Sequence, residues 1–148
     1  MANLVRRDFR RGPAPLTVLP FVADVKVAPR KTRRSFWNVP QTDDYGAACN
    51  AGLQFAGDLL QYLKDNPFWV GSNIIGRLVQ DMAAHPHGTA MHGYEVGFWS
   101  ALEVILQRAI ARENHWDVLQ AVQNRYDRIA ATRAAEDEEE AELEGAAA

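Results

Sequence analysis

Apolar and polar residues recur with helical period through the middle of this chain, between residues 36 and 132. Four stretches there repeat apolar residues three and four apart, the spacing of one face of a helix. In the first, Tyr45, Cys49, Leu53, Ala56, Leu60 and Leu63 form the stripe; Thr42 or Asp43 can cap it, and it ends near Asp65. Ala48, Gly52 and Ala56 make a second stripe of small residues, which predicts close approach by another helix. Asn66-Pro67 predicts a stop and a restart, with Asn66 as the cap of a second helix. That helix runs to about Ala84 on Val70, Ile74, Ile75, Leu78, Val79 and Met82. A loop over residues 85–93 follows. The third helix, from about Tyr94 to Arg112, is apolar around much of its circumference, which predicts a central position or a contact between copies. Asn114 can cap a fourth, with Trp116, Leu119, Val122, Tyr126 and Ile129 as its inner face.

The flanks break this pattern. Residues 16–27 are rich in β-branched side chains, and Val25 and Val27 alternate with Asp24 and Lys26, as in a short strand. Pro20 confines such a strand to an edge, and no second convincing strand stands beside it. A segment lying extended on the helices, or pairing with another copy, satisfies the pattern equally. Phe36, Trp37 and Val39 read as a docked connector, with Pro40 forbidding helix around it. Beyond Thr132 the apolar stripe ends. The expected fold is mainly α, a four-helix bundle-like single domain (residues 36–132). An extended basic arm (1–35), admitting the short strand, precedes it, and an acidic, solvated tail (133–148) follows.

Charge sharpens this division. Net charge is only −3 over 148 residues, but residues 1–35 carry nine Lys/Arg against two Asp/Glu. Residues 36–132 carry six against ten, and residues 133–148 one against seven. The layout, not the sum, bears on partners. Cys49 is the single cysteine, so no intrachain disulfide forms and no oxidising compartment is required. No stretch approaches the roughly 18 apolar residues of a membrane span. The default expectation is a cytoplasmic protein without membrane contact.

Candidate chemistry is sparse. His85, His87 and His92, with Asp81 and Glu95 nearby, are types that ligate metals, yet no HExxH or other ligand spacing joins them. They read first as polar loop residues, and no metal or other cofactor is expected. Cys49 falls two turns into a helix on its apolar stripe, where a packed thiol is a better reading than a nucleophile. The chain has no Gly-x-Ser-x-Gly, phosphate-binding loop or dinucleotide fingerprint. Gln120, Gln123, Asn124, Arg125 and Arg128 are base-reading types, but the acidic residues around them oppose a helix-turn-helix role.

The expectation is therefore a non-enzymatic protein-interaction module that binds a protein partner or assembles with itself. Arg30, Lys31, Arg33, Arg34, Trp37 and Trp69 are its candidate contact residues, since aromatics at element ends concentrate binding energy. By association, the arm–bundle–tail layout suggests a small phage- or plasmid-type accessory protein that binds a host protein or an assembly. The alternative is a nucleic-acid-associated protein, with Arg6, Arg7, Arg10, Arg11, Arg30, Lys31, Arg33 and Arg34 tracking phosphates. A metal-dependent enzyme at the 85–95 loop stands third.

Overall fold

Five aromatic rings form the centre of the core: Phe21, Trp37, Phe55, Tyr94 and Phe98, all below 9% exposed. Phe21 lies 5.4 Å from Phe55 and 5.6 Å from Trp37, and Trp37 meets Phe98 edge-on at 5.3 Å. Tilted and edge-to-face pairs of this kind add to the burial of their area. The computed structural model describes residues 4, 6, 14–67, 72–84 and 88–146, with side chains to residue 138. In order, a short 3₁₀ turn (Leu16–Val18) leads to strands β1 (Ala23–Ala28) and β2 (Lys31–Ser35), then helices α1 (Tyr45–Asp65), α2 (Ile74–Ala84), α3 (His92–Ile110) and α4 (His115–Ala146). The protein is thus mainly helical, with one small sheet. It divides into two compact units, Met1–Ile105 and Leu106–Ala148.

The first unit differs from expectation at its N-terminal side. β1 does have a partner: β2 pairs with it antiparallel, Ala23 opposite Ser35 and Val25 opposite Arg33, with an irregularity between Lys26 and Ala28. The basic cluster at 30–34 therefore supplies the turn and the second strand of a hairpin. Its strand character is hidden because β2 is exposed up to Ser35, so no apolar alternation marks it. The residues before β1 are core: Leu16, Leu19, Phe21 and Val22 are each at most 5% exposed. Phe21 C=O also accepts from the Asn38 N–H at 2.7 Å, stitching the two ends of the hairpin together.

Helix α1 begins one residue later than expected, because Asp44 rather than Thr42 or Asp43 is the cap; its Oδ1 accepts from Ala47 N–H at 2.9 Å. Asn66 ends α1 instead of opening α2. Fully buried, it donates from Nδ2 to Tyr62 C=O and accepts the Ala14 N–H on Oδ1. Helix α2 starts only at Ile74, after Asn73 at a positive φ of 60°. The small-residue stripe behaves as expected. A Cβ added at Gly52 would lie 2.0 Å from Tyr94 O, and one at Gly97 would lie 1.9 Å from Cys49 O. Glycine lets α1 and α3 cross backbone to backbone there.

The second departure is in the C-terminal half. Helix α3 is buried only in its first part, through Leu102, and from residue 103 to residue 138 every residue is exposed. The expected inner face of the fourth helix is exposed too, so the buried core is built from residues 16–102 without it. Helix α4 also runs through the acidic stretch to Ala146, where a solvated tail was expected. The sequence there consists mostly of Ala and Glu, both good helix formers, and the helix already formed needs no new nucleus.

Candidate interaction surfaces

Two surfaces carry chemistry, one in each unit. The first is the hairpin and its junction with α2. β2 presents Arg33 and Arg34 to opposite faces, as the two-residue period of a strand requires. Arg34 grips Asp24 across the hairpin through Nε and Nη2, at 2.9 and 3.1 Å. That pairing holds the Asp24 carboxyl below its ordinary 3.8, and raises Arg34 in turn. Arg33 turns the other way, its Nη2 donating to Asp81 Oδ1 at 3.2 Å.

Asp81 is 6% exposed, and its second oxygen accepts the Phe36 N–H at 2.6 Å. It is the clip that ties the end of the hairpin to α2, a structural task for a residue the sequence offered beside the histidines. Arg77 lies over the Phe36 ring, 5.5 Å from its centroid. Arg33, Arg34, Phe36, Arg77, Gln80, Asp81 and Ala84 together line a groove of about 400 Å³. Two of its three guanidinium groups are thus already bound to carboxylates. Lys26, Arg30 and Lys31 stand exposed on the hairpin.

The sequence-derived contact residues are thereby separated. Arg30, Lys31, Arg33 and Arg34 are gathered on one hairpin. Trp37 is 2% exposed, inside the aromatic cluster, so its ring surface is occupied internally. Trp69, Arg7, Arg10 and Arg11 lie outside the described residues, as do His85 and His87; Arg6 is exposed. His92 Nδ1 is 3.2 Å from Glu95 Oε2, one turn on. Among the described residues no group of three metal-ligating side chains comes together, and no helix is long and apolar enough to cross a membrane. Cys49 is half-buried with a free thiol; hydrogen bonding to it, ahead of desolvation, raises the Tyr45 phenol above its ordinary value.

The second surface was read from the sequence as core. On α4, Trp116, Val118, Leu119, Val122, Tyr126 and Ile129 are 40–68% exposed. At 100° per residue they occupy one arc of roughly 160°. The opposite side is polar, with Gln120 Nε2 donating to Asn124 Oδ1 at 3.0 Å, while Gln123, whose Nε2 donates to Asp127 Oδ1 at 2.8 Å, falls at the Trp116 edge of the apolar arc. The signal for this surface was present as amphipathic periodicity. Periodicity states that a face is apolar and leaves open what covers it. Comparison with protein-family models, curated proteins and solved structures finds no match for the chain.

Proposed function

We propose that this protein is a non-enzymatic interaction module whose partner-facing surface is the apolar side of α4, with the cationic hairpin steering the encounter. One observation carries the reading: six large apolar side chains lie exposed on one helix, while the buried apolar residues of the core come from residues 16–102. Such a continuous patch on a folded chain is costly in water and is characteristic of a surface that meets another molecule. Aromatic anchors such as Trp116 and Tyr126 are the residue types that dominate binding energy. This moves the aromatic contacts from Trp37 to the fourth helix and keeps Arg30, Lys31, Arg33 and Arg34 as the charged component. Charge of this kind serves mainly to speed association. A bound host protein or an assembly of a phage- or plasmid-type system fits this class.

A second reading, nucleic-acid association, rests on Lys26, Arg30 and Lys31, exposed on one hairpin. A single comparison separates the two. Trp116→Ser/Tyr126→Ser and Arg30→Ala/Lys31→Ala variants of the full chain are used to capture partners from nuclease-treated host extract, and are titrated into labelled DNA and RNA at low salt. The interaction reading expects capture to be lost with the helix variant while melting temperature is unchanged. Salt-sensitive oligonucleotide binding that only the hairpin variant abolishes would replace it with the second reading.

A further inference from the structure

We infer that the apolar face of α4 is covered by α4 of a second copy of this chain, packed antiparallel. The inference rests on the interaction reading above and names the partner. Along the helix the apolar seam is Leu119, Val122, Tyr126 and Ile129. Its spacing of three, four and three is the heptad pattern that keeps side chains facing a neighbouring helix. That spacing also reads the same in both directions. In an antiparallel pair centred on residue 124, Leu119 of one copy falls opposite Ile129 of the other, and Val122 opposite Tyr126. Both layers match in a single register, so the surface is complementary to itself, as a two-fold interface requires. Trp116 and Val118 flank the seam, and the seam closes at His115 and Arg133, where polar residues take over the same positions.

Charge selects the direction. Seven carboxylates crowd residues 136–144, following a stretch that holds Arg125, Arg128 and Arg133. A parallel pair would lay these seven against the same seven, within the roughly 10 Å over which exposed charges interact at 0.1 M salt. In the antiparallel pair each cluster centres about 24 Å from the two-fold axis, at 1.5 Å per residue. The clusters then sit at opposite ends of the dimer. Each lies just beyond the N-terminal end of the partner helix, whose dipole favours anions, and Arg112 is three residues ahead of that end. The seam spans only two heptads, so the dimer is reversible and dissociates on dilution.

The test is sedimentation of the full chain from about 1 to about 300 μM, spanning the affinities a short seam supports. Expected is a rise from one to two chain masses with concentration, and a dissociation constant at least about tenfold higher for Leu119→Asp or Tyr126→Asp. Circular dichroism of each variant checks that its core remains folded. Direction is read by disulfide trapping in a Cys49→Ser background. Leu119→Cys mixed with Ile129→Cys should cross-link, and neither should cross-link alone, because like positions then lie about 15 Å apart. A monomer at every concentration overturns the inference, and so does Leu119→Cys cross-linking to itself. If such a monomer still captures a protein through Trp116 and Tyr126, the interaction reading survives with a different occupant; if it captures none, both fall.

Discussion

Gly52 shows how far a single hydrogen atom in place of a methyl group decides this fold. The site where a Cβ would stand is occupied by the Tyr94 carbonyl, and backbone yields less readily than the end of a side chain. Gly52→Ala is therefore expected to destabilise the protein by about 3 kcal/mol, the upper part of the range for overpacking a well-filled site. Urea unfolding of the two proteins measures it. By contrast, Gly57, with nothing near its missing Cβ, should accept alanine with a small gain in helix stability. The small-residue stripe was visible in the sequence because spacing alone puts Ala48, Gly52 and Ala56 on one face. Asp81 was not, since Phe36 N–H and Arg33, both of which it binds, come from 45 and 48 residues away.

The hairpin is the element in which charge and fold meet. Within it Arg33 and Arg34 each hold a carboxylate of the same unit, while Lys26, Arg30 and Lys31 are exposed. Asp24 binds its proton less readily in the folded state than when unfolded, since Arg34 stabilises the charged form. The stability it contributes is thus fully present above the ordinary value of 3.8, and is lost as pH falls from there through the lowered folded value. Thermal melts should show acid loss at pH 2–3 relative to pH 6 that is smaller for Asp24→Asn, at low salt and only slightly at high salt, because both partners are exposed. The pairing of β1 with β2 could not be read from pattern. A strand exposed on both sides carries no alternation, and only the turn at Pro29-Arg30 brings the two segments together.

Along the chain, the core and the exposed apolar face of α4 occupy different stretches. Residues 16–102 supply the buried apolar side chains, and residues 103–138 are exposed throughout. Alanine substitution should report this directly. In dilute solution, Leu119→Ala and Ile129→Ala are expected to change stability by no more than about 0.5 kcal/mol, the range for exposed positions. Leu59→Ala, at a site with no exposure, should cost 2 kcal/mol or more by the roughly 2–5 kcal/mol range for buried leucine. Denaturation of all three at one low concentration gives the comparison, and equal losses would return α4 to the core.

Legible in the sequence alone are the helices, the small-residue face of α1 that lets another helix approach closely and the segregation of charge, all of which depend on neighbours within a few residues. Propensity, capping and periodicity are local quantities, and Asn114 ahead of Trp116 or glycines four apart from alanines state them directly. Which apolar faces are buried is settled by long-range packing. Leu19, Phe21 and Trp37 are interior while Leu119, Tyr126 and Ile129 are exposed, although both groups look alike as residues. Burial depends on how much apolar surface the nearest elements can cover. Here the segment before β1, the docked connector, α1, α2 and the first part of α3 bury their apolar residues in one core, and the stripe on α4 is exposed.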